Sequence, residues 1–236
     1  MSQELTFAIP TLFGVEGLTA DELRRLGMSQ VRAENGRVFC QGAPLDIPRL
    51  NLSLRTGERV LLVLGTFPAR DFDALFEGTR ALPWERFIPR EGQFPVKGHS
   101  LNSALHSVPA CQSIVKKAVA ARLGGKYGLN TLPETGSLYQ VQFSLMGDQA
   151  VLMLDTSGSG LHKRGYRAQG VAAPLRETLA AAMVLLSRYR GRDPLCDPFC
   201  GSGTIPIEAA LIAKNRAPGL NRTFSAQKWA CVDKKL

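Results

Sequence analysis

The chain has 236 residues, 44% of them hydrophobic and 21% charged, which is ordinary globular usage and excludes a collagen-like, disulfide-rich or largely disordered protein. Lysine and arginine total 29 against 20 acidic residues, and the excess lies after residue 90, because residues 1–90 carry 11 basic and 11 acidic side chains. A basic surface attracts polyanions such as RNA, although proteins that bind no nucleic acid also carry one.

The first 56 residues predict a small α+β unit. Leu5–Ile9 predicts a short strand, and residues 15–26 have apolar side chains at helical spacing, with Gly27 as a natural stop. Asn35-Gly36 lies between two short apolar segments and is the strongest short signal for a hairpin. Residues 45–54 predict a second helix, which completes the unit.

Residues 57–156 predict a second α+β unit. A helix is expected at 71–82, and strands are expected at 59–64, 93–97, 139–145 and 150–154. A longer helix is marked by Ser107 as a cap, Pro109 in its first turn and a stop at Gly124-Gly125. The apolar stripe of this helix leaves a polar face that includes Ser113, Lys116 and Lys117.

Residues 157–170 predict a basic linker, because the stretch is rich in glycine and carries three cations and one aromatic ring: Lys163, Arg164, Tyr166 and Arg167. Cations mixed with an aromatic ring can contact phosphates and stack on an unpaired base, as recognition of looped or single-stranded RNA requires. A solvated linker whose charges only maintain solubility is the plain alternative.

Residues 171–236 predict an α/β segment around one glycine-rich turn. A helix is expected at 174–189, a short strand at 195–199 and a second helix at 204–214, with the turn Asp197-Pro-Phe-Cys-Gly-Ser-Gly-Thr204 between the last two. Glycines let a backbone approach a ligand, and the N-terminus of the following helix offers unpaired N–H groups. Pro206 replaces the third glycine of G-x-G-x-x-G, and no P-loop lysine follows, so an ordinary strand-to-helix turn remains the alternative.

This turn resembles the first motif of class I S-adenosylmethionine-dependent methyltransferases that act on exocyclic amino groups of nucleobases. With Pro174–Ala182, Ile205–Asn215 and Leu161-His-Lys-Arg-Gly-Tyr-Arg167, the chain is similar to THUMP-containing ribosomal RNA guanine-N2 methyltransferases of the large subunit. The resemblance implies a mixed α/β and α+β fold. Its parts would be a ferredoxin-like unit (1–56), a THUMP RNA-binding domain (57–156), the basic linker (157–170) and the first part of a Rossmann-like methyltransferase domain (171–236).

The resemblance also implies where ligands bind. S-adenosylmethionine would contact Thr178 and the whole turn, that is Asp197, Pro198, Phe199, Cys200, Gly201, Ser202, Gly203 and Thr204. Large-subunit ribosomal RNA would contact the linker residues Lys163, Arg164, Tyr166 and Arg167 and the THUMP residues Lys97, Ser113, Lys116 and Lys117. For the THUMP residues, an ordinary polar surface is the alternative.

Two parts of the family pattern are not identifiable. They are the acidic residue that holds the donor ribose, a role for which Asp233 lies too near the end, and the Asn/Asp-Pro-Pro-Tyr/Phe segment. We therefore name no catalytic residue, and Cys200 lies in the donor turn, which argues against a nucleophilic thiol. We expect the chain to stop within the methyltransferase domain, to bind the donor weakly or not at all, and to have no activity of its own. A non-catalytic RNA-binding module and a DNA amino-methyltransferase remain alternatives.

Composition also bears on metals and membranes. The five cysteines form no C-x-x-C pair and the three histidines do not cluster with them, so we expect neither a disulfide framework nor a metal site. No apolar run approaches the roughly 20 residues that cross a bilayer, and no signal peptide is evident, so we expect a cytosolic protein without membrane contact. The sequence does not identify the modified guanine or the oligomeric state.

Overall fold

A computed structural model describes residues 4–167, 174–229 and 232, and the chain divides into two compact units. The first unit joins the residues up to Val60 to Ser159–Phe224, and the second joins Leu61–Gly158 to the residues from Ser225 onward. The linker end at 168–170 and Asp233, both considered in the sequence analysis, lie outside the described residues. The domain boundaries drawn above remain predictions, because a compact unit need not coincide with a sequence domain.

The first unit begins with a three-stranded antiparallel sheet and two helices. In chain order these are β1 (Leu5–Pro10), α1 (Glu16–Arg25), β2 (Ser29–Glu34), β3 (Arg37–Gly42) and α2 (Asp46–Ser53). Strand β3 lies between β2 and β1. Gly36 has φ +73° in the predicted hairpin turn, a left-handed conformation that glycine adopts without steric cost. The predicted elements of this part are confirmed, with shifts of a few residues.

The second unit contains a four-stranded mixed sheet and two helices. These are β4 (Leu61–Pro68), α3 (Phe72–Ala81), β5 (Val96–Leu101), α4 (Val108–Tyr127), β6 (Val141–Met146) and β7 (Gln149–Asp155). The strand order is β4-β7-β6-β5, with β5 parallel to β6 and the other pairs antiparallel. Strand β5 begins three residues later than predicted, because Gln93 forms only an isolated bridge, to Leu138.

The predicted stop of α4 at Gly124-Gly125 is wrong. The helix continues through both glycines to Tyr127, and Gly128 ends it with φ +65°. Gly124 is needed for a different reason: its carbonyl accepts the Leu129 N–H at 3.0 Å, and an added Cβ would lie 2.7 Å from the Leu129 carbonyl oxygen. The returning chain therefore requires a residue without a side chain at that point.

The later part of the first unit contains α5 (Glu177–Leu186) and α6 (Thr204–Ala213). The predicted tight turn at Gly201–Gly203 is confirmed, with both glycines at positive φ. The predicted strand at 195–199 is wrong, because residues 195–199 form turns and irregular backbone. A strand needs a neighbour to pair its N–H and C=O groups, and no strand of the described residues pairs with this segment.

A tryptophan that the sequence did not single out completes the core of the second unit. Trp229 is fully buried and stacks on Tyr139, with ring centroids 5.0 Å apart. Its indole Nε1 donates to the carbonyl oxygen of Leu138 at 2.9 Å. The short 3-10 turn Ser225–Lys228 places this side chain, so residues 225–229 belong structurally to the second unit.

An ion pair on the surface of the second unit predicts acid sensitivity. Arg122 donates twice to the Glu85 carboxylate, at 2.9 and 2.6 Å, and this hydrogen bonding lowers the pKa of Glu85 to about 2. The carboxyl of an unfolded chain titrates near ~4.3. The stabilisation is therefore complete above about pH 5 and is lost as the pH falls towards the folded value.

We expect Glu85→Gln to lower the free energy of unfolding of the second unit at pH 7 by up to about 1 kcal/mol, the upper end for a pair at the surface, because solvent screens the two charges. The loss should largely disappear near pH 2. Both tryptophans, Trp84 and Trp229, lie in this unit, so urea unfolding followed by tryptophan fluorescence measures it. An equal loss at the two pH values would contradict this assignment.

The described part of the chain contains neither a membrane-spanning helix nor a group of side chains that could hold a metal ion. Its helices are too short or too polar to cross a bilayer. Within the same residues, no three His, Cys, Asp or Glu side chains are arranged to hold a metal ion.

Candidate functional site

The glycine turn before α6 has the geometry of a ligand-binding loop. Gly201 and Gly203 have φ +51° and +75°, and the Gly203 N–H donates to the Cys200 carbonyl oxygen at 2.7 Å. A Cβ added at either glycine would meet nothing closer than 3.8 Å, so the space beside the turn is open. The first N–H groups of α6, which begins at Thr204, can serve an anionic group there.

Four other residues of the turn are exposed. Phe199 is 93% exposed, and Pro198, Cys200 and Ser202 are exposed as well. Asp197 accepts the Phe199 N–H at 3.1 Å, which fixes the start of the turn. A bound small molecule normally has 70–90% of its surface covered, and one exposed turn does not provide that cover.

We therefore expect the 236-residue chain to bind S-adenosylmethionine with a dissociation constant of a few hundred micromolar or weaker. The acidic residue that would hold the donor ribose is not identifiable in this sequence, and loss of its hydrogen bonds would cost about 3 kcal/mol. That loss would weaken a micromolar site to this range. Titration calorimetry measures it, with Gly201→Val as the variant that blocks the turn. Low-micromolar binding that Gly201→Val abolishes would contradict this expectation.

Arg167 contacts the turn from the linker. Its Nε donates to Glu177 at 2.6 Å, its Nη1 to the Ser202 hydroxyl at 3.1 Å and its Nη2 to the Thr204 hydroxyl at 2.6 Å. The geometry thus joins a residue predicted to contact RNA to two residues predicted to contact the donor.

Arg164 lies in the interior of the first unit rather than on a surface that RNA could reach. The side chain is 2% exposed, and its Nε lies 3.4 Å from the buried Glu208 carboxylate. Its two Nη atoms donate to three backbone carbonyl oxygens, those of Leu54 (3.3 Å), Leu161 (2.9 Å) and Arg55 (2.5 Å). These contacts occupy the guanidinium inside the protein, so the prediction that Arg164 contacts RNA does not fit its position.

Glu208, which the sequence analysis missed, is the centre of this buried cluster. Burial raises the pKa of its carboxyl, and the Arg164 charge opposes that rise. The Tyr166 hydroxyl donates to Glu208 at 3.3 Å, and burial raises the pKa of this phenol. A charged residue within the apolar run of α6 was the available signal, since carboxylates are almost never fully buried unless paired.

Lys163 is the residue of the predicted linker contacts whose side chain is exposed to solvent.

Thr178, predicted to lie near the donor, is fully buried at the start of α5. Its hydroxyl donates to Glu58 at 2.5 Å, and Glu58 also lies 3.1 Å from His162 Nδ1. Glu58 therefore holds both the linker and the first turn of α5.

The THUMP residues predicted to contact RNA lie in the second unit. Lys97, Ser113 and Lys117 are exposed. Ser113 lines an open groove of about 470 Å³ together with Lys116 and Glu134. Lys116 is already neutralised, because its Nζ lies 2.6 Å from both carboxylate oxygens of Glu134 and 3.5 Å from the centre of the Phe94 ring. Of the three lysines, Lys97 and Lys117 are thus the more available cations.

Three protein families match the chain in succession. The RlmL ferredoxin-like domain matches residues 6–61, the THUMP domain matches 69–155, and an RMKL-like methyltransferase domain matches 164–235. The predicted α/β and α+β composition, with ferredoxin-like, THUMP and methyltransferase parts, is thereby confirmed.

Curated relatives carry methyltransferase names. The Bacillus subtilis protein YpsC, named as an RNA methyltransferase, is 49% identical over 94% of this chain and 58% of its own length. Ribosomal RNA large subunit methyltransferase K/L of Syntrophotalea carbinolica is 39% identical over 89% of this chain and 30% of its own length. The chain thus spans 58% of the length of the first relative and 30% of the length of the second.

Solved structures resemble the chain over nearly its whole length. A predicted N6-adenine-specific DNA methylase from Listeria monocytogenes has a TM-score of 0.95 and 47% identity, covering 99% of this chain and 61% of its own. SMU.472, solved in complex with SAH, has a TM-score of 0.93 and 43% identity, with coverage of 99% and 62%.

Proposed function

We propose that the protein containing this chain methylates RNA. The chain carries RlmL ferredoxin-like, THUMP and RMKL-like methyltransferase domains, and it is therefore a THUMP-domain relative of class I methyltransferases. The methyl donor is S-adenosylmethionine, and the proposed substrate is large-subunit ribosomal RNA. The proposed acceptor is the N2 amine of a guanine. A ribosomal RNA substrate also agrees with the cytosolic location expected from the sequence.

One observation carries this proposal: a THUMP domain and a glycine turn before a helix occur in the same chain. S-adenosylmethionine supplies an activated methyl group. In this chain, the backbone at Gly201 and Gly203 and the N-terminal N–H groups of α6 would contact S-adenosylmethionine directly. The acceptor guanine would have to leave its stack to reach such a site. An exocyclic amine needs orientation more than a strong base, so positioning would supply most of the rate.

DNA methylation is the second candidate, favoured by the DNA methylase name of the Listeria structure. The THUMP match argues against it, because an RNA-binding domain has no evident use in a DNA enzyme. The third candidate, an RNA-binding module without catalysis, would bind RNA equally well. Binding measurements therefore distinguish a DNA substrate from an RNA substrate. Analysis of methylated nucleosides distinguishes an enzyme from a non-catalytic RNA-binding module.

We expect the chain to bind a structured fragment of large-subunit ribosomal RNA in preference to duplex DNA of the same sequence, with strong salt dependence. Lys97→Ala and Lys117→Ala should each weaken RNA binding several-fold and reduce the salt slope by about 1, as loss of one phosphate contact does. Filter binding across a salt series measures both quantities.

Lys126→Ala is the matched control. Lys126 lies on α4 like Lys117, is 53% exposed and has its Nζ 3.8 Å from Glu85. Its substitution should leave RNA affinity nearly unchanged. Equal affinity for RNA and duplex DNA would contradict the RNA proposal, and unchanged salt slopes in the Lys97 and Lys117 variants would remove these residues from the interface.

A further inference from the structure

Every nitrogen atom of the Arg167 guanidinium is hydrogen-bonded within the first unit. Each of its three nitrogen atoms donates to a side-chain oxygen, and those oxygens belong to Glu177, Ser202 and Thr204. The side chain is only 21% exposed. Three of the five guanidinium N–H groups are therefore engaged within the protein, two of them in contacts of 2.6 Å. Because little of the side chain is exposed, Arg167 is poorly placed to be an RNA contact.

The anchor of Arg167 is itself fixed. Glu177 is nearly buried, with 6% of the residue exposed, and it begins α5. The next residue, Thr178, is held by the hydrogen bond to Glu58. A charge-assisted pair to a fixed carboxylate is stronger than a neutral hydrogen bond, so Arg167 connects the rigid start of α5 to the turn.

The turn needs such a connection. Glycine loses more conformational freedom on folding than any other residue, and the turn has glycines at 201 and 203. Gly203 is also the N-cap of α6 and offers no side chain to cap the helix. The two hydroxyls that Arg167 holds stand on either side of Gly203, so the guanidinium restrains the turn where its backbone is least constrained.

We propose that Arg167 is a positioning residue for the donor turn, acting through the Ser202 and Thr204 hydroxyls, and that it does not contact RNA. This inference rests on the proposed function, because the turn needs exact placement only if it binds a donor. The restraint itself involves only residues of this chain, so it can be tested without a donor or RNA. It also connects the linker to the donor turn through one side chain.

The test is amide hydrogen exchange by NMR. In Arg167→Met, exchange at the Gly203 and Ile207 amides should rise at least 10-fold, because these hydrogen bonds belong to the turn and to the first turn of α6. Amides of β6 and β7 in the second unit should be unchanged. Arg167→Lys should not restore protection, because lysine carries all its donors on one nitrogen, whereas three separate nitrogens of the guanidinium reach the three oxygens.

Thr204→Val provides a variant that removes no charge and keeps the shape of the side chain. It should reproduce part of the increased exchange, and Ser202→Ala with Thr204→Val should reproduce most of it. Adding Arg167→Met to that pair should cause no further increase, because the three residues act as one unit. A full additional increase would mean that Arg167 does not act through the hydroxyls, and would overturn the proposal.

Two further measurements separate this proposal from its alternatives. RNA affinity and salt slope should be unchanged in Arg167→Met, and a slope reduced by about 1 with unchanged turn exchange would overturn the proposal in favour of an RNA contact. S-adenosylhomocysteine at millimolar concentration should shift the Gly201 and Gly203 amide signals of the unsubstituted chain, with at least 10-fold weaker binding in Arg167→Met. Absence of shifts in the unsubstituted chain would count against the donor site, while the exchange data would still decide the role of Arg167.

Discussion

Arg164→Met is expected to lower the free energy of unfolding of the first unit by about 3–5 kcal/mol, the cost of removing one partner of a buried ion pair. The variant leaves the buried Glu208 carboxylate without its cation. It also removes the donor from three carbonyl oxygens, at Leu54, Arg55 and Leu161. Each buried acceptor left unpaired adds its own penalty.

The loss should depend on pH. Burial already raises the pKa of Glu208, and removing Arg164 raises it further, so folding of the variant favours the protonated carboxyl. Stability is retained below the unfolded pKa and is lost as the pH rises through the folded value. Arg164→Met should therefore be more destabilising at pH 8 than at pH 5.

Cys40 reports on this unit because its thiol is buried in β3. Urea-dependent labelling of Cys40, located by peptide mapping, measures the unfolding of the first unit. Lys163→Ala is the matched control: Lys163 is the exposed neighbour, and its loss should change stability by less than about 0.5 kcal/mol. Equal effects of the two substitutions would show that Arg164 has no structural role.

Trp229→Ala is expected to cost the second unit about 3–5 kcal/mol. A fully buried tryptophan leaves a large cavity when truncated, and this one also loses its stacking on Tyr139 and its hydrogen bond to Leu138. Thermal unfolding followed by circular dichroism and by Trp84 fluorescence measures the change.

Phe199→Ala is the control for removing an aromatic ring, because Phe199 is 93% exposed. It should leave the stability nearly unchanged. A second unit that keeps its full stability in Trp229→Ala would contradict the assignment of residues 225–229 to this unit.

The regular elements could be predicted because their signals are local. Alternation in the strands, the Asn35-Gly36 turn and the apolar stripe of α4 are each set by nearby residues. The predicted helix end at Gly124-Gly125 was wrong because glycine can either end a helix or allow another backbone segment to pack closely. Only the position of Leu129 against Gly124 distinguishes these two roles. The strand at 195–199 failed because a strand depends on a partner that no local pattern reveals.

The site was predicted in outline but not in its connections. The glycine turn was visible because its residues are contiguous. The roles of Arg164 and Arg167 were not, because their partners Glu208 and Glu177 are 44 and 10 residues away along the chain. A cation in a glycine-rich segment looks alike in sequence whether it faces RNA or a buried carboxylate, and only burial separates the two.

Nucleoside mass spectrometry of large-subunit ribosomal RNA tests the proposed activity most directly. RNA from a strain lacking the gene that encodes this chain is compared with RNA from the parent strain and from a complemented strain. We predict the loss of one N2-methylguanosine, restored by complementation. Unchanged N2-methylguanosine in the ribosomal RNA, together with loss of a methylated base from the DNA, would contradict the proposal.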